Sequence, residues 1–80
     1  MEKEEILEKY ADIINAESCV HAYILDGALY YKYEWLNTVE MMAEVMYFCI
    51  DGVTETEDPR GDIVPLGRFY KAEKKGEKIN

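Results

Sequence analysis

Between Tyr10 and Pro59 the chain has a single basic side chain, Lys32, beside ten acidic ones. Residues 1 to 66 have a net charge of −11, whereas residues 67 to 80 carry five bases and two acids, a net charge of +3. A strongly acidic surface repels nucleic acid and anionic membranes and attracts basic protein surfaces. The scarcity of bases therefore argues against direct nucleic-acid or membrane binding and predicts a basic protein as the partner.

Residues that catalysis or metal binding would need are also scarce. His21 is the only histidine, so a catalytic triad or a metal cluster would have to include it. Its predicted cross-strand neighbours are Lys32 and aromatic rings, not a carboxylate and a nucleophile. The chain has neither a Gly-rich phosphate loop nor a twelve-residue calcium loop. We therefore expect no enzyme activity, no cofactor and no metal ion.

Targeting signals and cysteine motifs are missing as well. No apolar run reaches transmembrane length, and the first residues, Met-Glu-Lys-Glu-Glu, are unlike the basic start of a signal peptide. These features predict a cytoplasmic protein. Cys19 and Cys49 lie too far apart for a C-x-x-C site, and a reducing compartment favours two buried thiols over a disulfide.

The composition is that of a folded protein, since 49% of the 80 residues are hydrophobic. Eighty residues suffice for one domain with a thin margin of stability. We expect a single compact acidic domain over residues 1–70. The lysine-rich residues 71–80 are predicted to form a basic, flexible tail.

Residues 2–16 have the apolar spacing of an amphipathic helix. One stripe contains Ile6, Leu7, Tyr10, Ile13 and Ile14. A helix of this length is marginal alone in water, so the stripe must pack on another element.

From Val20 the apolar period changes to two around Asp26-Gly27, which is typical of a β-hairpin with a two-residue turn. This register pairs Leu25 with Ala28 and continues to Val20 with Tyr33. It predicts a core face formed by Val20, Ala22, Ile24, Leu29, Tyr31, Tyr33 and Trp35. The other face, at least partly solvated, holds Cys19, His21, Tyr23, Leu25, Tyr30, Lys32 and Glu34.

Residues 38–51 are predicted to form a second helix. Asn37 is a suitable N-cap, Glu40 lies at the third helical position, and Leu36 is placed to contact Met41. The apolar residues of this segment cover more of a helix than one small sheet can bury. Either the C-terminal segment or a second copy of the chain, in a homodimer through this helix, must therefore cover the excess.

Residues 62–70 would add an edge strand or one helical turn, because Pro65 and Gly67 disfavour a central strand. The fold predicted from these elements is α+β, ordered α-β-β-α, with the antiparallel hairpin packed on two helices.

Two sets of residues are candidates for partner binding. Glu40, Glu44 and Asp51 would lie along one side of the second helix, and with Glu34 they would form a line of carboxylates resembling nucleic-acid phosphates. Such a line is equally typical of a solvated helix face. Tyr23 and Tyr30, on the outer face of the hairpin, are candidates for a protein interface.

These features favour a non-enzymatic protein that inhibits a basic, nucleic-acid-binding protein by occupying its nucleic-acid groove. In size and charge the chain resembles small anti-defence proteins of phages, including anti-CRISPR and anti-restriction inhibitors. The alternative is a small structural or regulatory homodimer whose acidity only maintains solubility. A small enzyme is a third, weaker hypothesis, because no mechanism can be built on one histidine.

Overall fold

A computed structural model describes residues 2–51 and 61–80. These residues form helices α1 (Lys3–Lys9), α2 (Ala11–Ile14) and α3 (Leu66–Lys75), and strands β1 (Cys19–Leu25), β2 (Ala28–Asn37), β3 (Met42–Asp51), β4 (Asp62–Ile63) and β5 (Glu77–Lys78). The strands make one antiparallel sheet in the order β4-β3-β2-β1-β5. The small α+β fold is as expected, but it contains more sheet than the predicted α-β-β-α order.

Helices α1 and α2 cover one side of the sheet, which we call the front face. The predicted stripe is correct: Ile6, Tyr10 and Ile14 are buried in a cluster with the sheet residues Ala22, Leu29, Tyr31 and Ile50. The single predicted helix is divided at Tyr10, whose φ of −111° and ψ of 23° are not helical.

The β1–β2 hairpin has the predicted turn at Asp26-Gly27, with φ of 51° and 76°. Five predicted pairs, from Leu25 with Ala28 to His21 with Lys32, are confirmed. The sixth is wrong because a register shift between Cys19 and His21 pairs Cys19 with Tyr33. A bulge of this kind reverses the side chains that precede it, so Cys19 belongs to the buried front-face cluster.

The predicted second helix is wrong, because residues 42–51 are strand β3, paired with β2 over ten residues. Asn37 does bind backbone amides, but in a turn: its Oδ1 accepts hydrogen bonds of 3.1 Å from Val39 N and Glu40 N. The chain then reverses through Met41, with a φ of 55°, and pairs Met42 with Asn37. Of the apolar residues in this segment, Cys49 and Ile50 are buried on opposite faces of the sheet, whereas Val39, Met41, Met42 and Val45 are exposed.

Helix α3 covers the opposite, back face of the sheet. Phe69 is 2% exposed and Ala72 is fully buried, in a cluster with Tyr23, Ala28, Tyr30, Cys49 and Val64. The Phe69 ring lies 5.7 Å from the Tyr23 ring and 4.9 Å from the Tyr47 ring, between ring centroids. The back face is therefore core, and the expected solvation of this face is wrong for Tyr23 and Tyr30.

The basic segment expected to be a flexible tail is part of the fold. Residues 71–75 complete α3, and β5 pairs with β1 at Tyr23 and Ile24. The Asn80 side chain donates a 3.0 Å hydrogen bond to the Ile14 carbonyl oxygen. Burial of a phenylalanine contributes about 2 kcal/mol or more, whereas exposed ion pairs such as Lys3–Glu77 contribute little. Anchored beside the buried Phe69, residues 71–80 are held by the burial of Ala72 and the backbone pairing of β5, not by charge pairing.

Residues 62–70 contain both of the alternatives left open by the sequence. Asp62 and Ile63 form the short edge strand β4, which pairs with Cys49 and Phe48. Pro65 then precedes α3 in an extended conformation. None of the helices in the described part of the chain is both long and apolar enough to span a membrane.

Candidate functional site

The β2–β3 hairpin extends beyond the rest of the sheet. β1 pairs with β2 as far as Tyr33, followed by one 2.9 Å hydrogen bond from the Glu34 amide to the Ser18 carbonyl oxygen, and β4 pairs only with Phe48 and Cys49 of β3. None of the residues from 32 to 48 is buried. Residues 34–45 thus form a two-stranded ribbon outside both hydrophobic clusters, which we call the arm.

The arm exposes several large apolar side chains. The exposed fraction is 62% for Leu36, 90% for Val39, 78% for Met41, 54% for Met42 and 38% for Val45. A two-stranded ribbon is only marginally stable by itself, and apolar groups concentrated on one protruding element are typical of an interaction site. The arm is therefore the strongest candidate for a binding site in the described residues.

The arm also carries charge of one sign. Its ionisable residues are Glu34, Glu40 and Glu44, and residues 34–45 include no lysine, arginine or histidine. Glu34 and Glu40 are exposed, and Glu44 is half-buried. The nearest base in the sequence, Lys32, lies at the foot of the arm on the same face as Glu34. A net charge of −3 on twelve residues favours a basic surface as the partner.

Hydrogen bonds within the arm fix its tip. Asn37 Nδ2 donates a 2.9 Å bond to Glu44 Oε1, while Asn37 Oδ1 accepts from the Val39 and Glu40 amides. Asn37 therefore connects both strands with the turn between them. This arrangement holds Val39 and Glu40 at the end of the ribbon, where both are exposed.

The predicted line of four carboxylates is not brought together. Side chains of a strand alternate between its faces, so Glu44, opposite Trp35, is on the front face, whereas Glu34, opposite Val45, is on the back face. Asp51 lies at the other end of β3, paired with Ala28 and about 24 Å from Glu44 at the usual rise per residue. Glu34, Glu40 and Glu44 share the arm, and Asp51 does not.

The two candidate interface tyrosines lie under α3. Tyr23 and Tyr30 are 6% and 8% exposed. The Tyr30 hydroxyl accepts a 3.4 Å hydrogen bond from Arg68 Nε, and the Arg68 guanidinium lies 5.7 Å from the centroid of its ring. Neither tyrosine can contact a partner while α3 is in place, so their function in this structure is packing.

The cysteines and the histidine show no arrangement for chemistry. Cys19 and Cys49 are free, buried thiols on opposite faces of the sheet, and burial raises the pKa of both. A raised pKa makes a thiol a poor nucleophile at neutral pH. His21 lies opposite Lys32, with its ring centroid 6.4 Å from that of Tyr23. Within residues 2–51 and 61–80, no three His, Cys, Asp or Glu side chains could hold a metal ion.

The apolar residues of the arm were missed from sequence because residues 38–51 resembled a helix. The available signal was the continuous apolar run from Val45 to Ile50, rich in residues that favour strands. Leu36, read as a helix staple, is instead an exposed strand residue opposite Ala43.

No protein-family model matches the chain, and no curated protein or solved structure is significantly similar to it. What the arm can bind therefore has to follow from its own shape and charge.

Proposed function

We propose that the protein is a non-enzymatic inhibitor that binds a basic, nucleic-acid-handling protein through the arm. The observation that carries this proposal is the combination found on residues 34–45: exposed apolar side chains, three carboxylates and no cationic side chain. Apolar contacts at the centre of an interface provide affinity, and charges around them direct the encounter and select the partner.

The shape of the arm supports insertion into a groove. It is a narrow ribbon with Glu34 and Glu44 on opposite faces and Glu40 in the turn at its end. Nucleic-acid-binding grooves are lined by lysine and arginine that neutralise phosphates. In our proposal the three carboxylates bind those cations from within the groove and exclude nucleic acid, in the cytoplasm and in the manner of phage anti-CRISPR or anti-restriction inhibitors.

The first test is capture from a host lysate with three tagged proteins: wild type, E34Q/E40Q/E44Q, and the control E4Q/E5Q/E8Q. Both triple variants change the net charge by the same amount, but Glu4, Glu5 and Glu8 all lie on α1, outside the arm. We expect a partner that binds the wild type and the control but not the arm variant. Equal losses in both variants would mean that only total charge matters.

The second test is competition. Duplex DNA or RNA should displace the protein from the captured partner, and binding should weaken as salt shortens the Debye length from about 10 Å to about 3 Å. Simultaneous binding of nucleic acid and this protein, with the partner's activity intact, would refute mimicry.

The alternative function, a structural or regulatory homodimer, is favoured by one observation, the exposure of Leu36, Val39 and Met41. The dimer would then form through the arm, since the helix first considered for it does not exist. Salt separates the two hypotheses, because screening strengthens contact between two acidic arms and weakens contact with a basic partner. Sedimentation velocity at low and high salt measures the first of these effects.

A further inference from the structure

Part of the outer edge of β3 has no partner strand among the described residues. β4 pairs with Phe48 and Cys49, and Val64 N donates a 2.8 Å hydrogen bond to the Tyr47 carbonyl oxygen. From Met42 to Met46 the described pairs of β3 are with β2 alone. We call this stretch the open edge.

The direction of the backbone groups along the open edge follows from strand geometry. In an antiparallel sheet, successive residues direct their N–H and C=O groups to opposite edges of the strand. The Tyr47 carbonyl faces outward, because it accepts from Val64. Ala43 and Val45, four and two residues earlier, therefore direct their N–H and C=O groups outward, while those of Glu44 and Met46 face β2.

Apart from the charge of Glu44, the open edge lacks the features that usually prevent pairing with another strand. Met42-Ala43-Glu44-Val45-Met46 contains no lysine and no proline, and its pairing with β2 continues without a register shift. Met42 and Val45, on β3 itself and exposed by 54% and 38%, would contact the side chains of an added strand. Such an edge is a template for β-strand addition.

Charge decides between two candidate occupants of the open edge, a second copy of this chain and a strand of a basic partner protein. Side-by-side pairing with a second copy would place two arms, each with a net charge of −3, against each other. A strand with basic side chains would instead bring cations beside Glu44 of β3, while Glu34 lies one strand further away, on β2. Opposite charges across adjacent strands stabilise the pair, and like charges destabilise it.

We propose that the open edge of β3 binds an extended, basic segment of the partner protein as an additional strand of the sheet. The basic charge of the partner rests on the proposed function, and the mode of binding, strand addition, is new. Main-chain hydrogen bonds to Ala43 and Val45 supply the recognition, and the neighbouring Glu44 selects for lysine or arginine.

The probe for the test is an acetylated, amidated peptide of alternating lysine and valine, and the readout is residue-specific amide hydrogen exchange at low salt. With the peptide bound, exchange at Ala43 and Val45 should slow by at least about tenfold. Glu44 and Met46 should change little, since their amides already face β2. A peptide of alternating lysine and proline has the same charge but forms no strand ladder, and should give no such protection.

A matched pair of variants checks the backbone contribution. V45P removes one outward N–H without changing the charge, whereas V45T retains it and suits a strand equally well. We expect V45P to weaken binding of the lysine-valine peptide about tenfold and V45T to bind like the wild type. If V45P does not fold, the exchange measurement on the wild type still decides the question.

Three outcomes would overturn the inference. Peptide binding without protection of Ala43 and Val45 would mean that the charges act without strand addition, and the proposed function would stand. Absence of binding at low salt would also refute strand addition, leaving the proposed function to the capture assay. Protection that rises with protein concentration in the absence of peptide would identify a second copy as the occupant.

Discussion

At the scale of single residues, Gly27 is the position most restricted by its backbone. Its φ of 76° follows Asp26 at 51°, as a two-residue hairpin turn requires. A β-branched residue is strained there, so Gly27→Val should lower the free energy of unfolding by at least about 1 kcal/mol. Gly67 lies in α3, where an added Cβ meets nothing within 4 Å. Because alanine favours a helix more than glycine does, Gly67→Ala should raise the free energy of unfolding by up to about 1 kcal/mol. Urea denaturation measures both, and an unchanged Gly27→Val stability would contradict the turn.

The buried thiols make stability depend on pH in the alkaline range. Burial raises the pKa of Cys19 and Cys49 above the ordinary value of 9.0, so the folded chain retains protons that the unfolded chain releases. The stabilisation that the two protonated thiols give the folded state is complete below pH 9.0. It is lost as the pH rises through the pKa values of the thiols in the folded state. The melting temperature should therefore fall above about pH 9, and less steeply in C19A/C49A. Tyr23, Tyr31 and Tyr33, whose pKa values are also raised by burial, contribute to the slope that remains. Identical slopes in the two proteins would exclude the thiols.

At the scale of elements, the arm and the core are separable. Because no residue from 32 to 48 is buried, replacing residues 34–45 by Asn-Gly should preserve the sheet. Tyr33 and Met46, which already pair, would flank the new turn. We expect circular dichroism and cooperative melting to be retained and partner binding to be lost. Unfolding of the shortened chain would mean that the arm contributes to the core after all.

The elements that were predicted correctly are those specified by local sequence. The first helix follows from a stripe at helical spacing, and the β1–β2 hairpin follows from Asp26-Gly27 between alternating strands. Residues 38–51 failed because Asn37 binds the next amides in the same way in a hairpin turn as at a helix start. Only contacts between distant parts of the chain distinguish a hairpin turn at Asn37 from a helix start.

Helix α3 shows a second limit of local interpretation. Leu66, Phe69 and Ala72 recur every three residues, but the lysines around them gave the segment the composition of a tail. The burial of Phe69 depends on Tyr23 and Tyr47, which lie 46 and 22 residues earlier in the sequence. The α3 contacts removed Tyr23 and Tyr30 from the candidate site, and the binding role of Glu34, Glu40 and Glu44 stays a prediction.

At the scale of the whole molecule, charge is divided between the two sides of the sheet. The front helices carry exposed acids, among them Glu4, Glu5, Glu8 and Asp12, and α3 on the back face carries Arg68, Lys71, Lys74 and Lys75. The bases on α3 only partly offset the acids elsewhere, and the net charge is −8. Self-repulsion of this kind destabilises a compact state and is screened by salt.

Added salt should therefore stabilise the protein. Raising the NaCl concentration from about 0.01 M to about 0.15 M shortens the Debye length from about 30 Å to about 8 Å. The melting temperature should rise over this range, and it should rise less in E34Q/E40Q/E44Q, which has fewer acids to screen. A melting temperature that falls with salt would show that favourable ion pairs outweigh the repulsion.

The position of the only tryptophan has a practical consequence. Trp35 lies on the arm, half-buried and opposite Glu44, and belongs to neither hydrophobic cluster. Its fluorescence therefore reports on the candidate site more than on the core. A partner that covers the arm should shift or quench this emission. Binding can therefore be followed by the intrinsic fluorescence of Trp35, without an attached label.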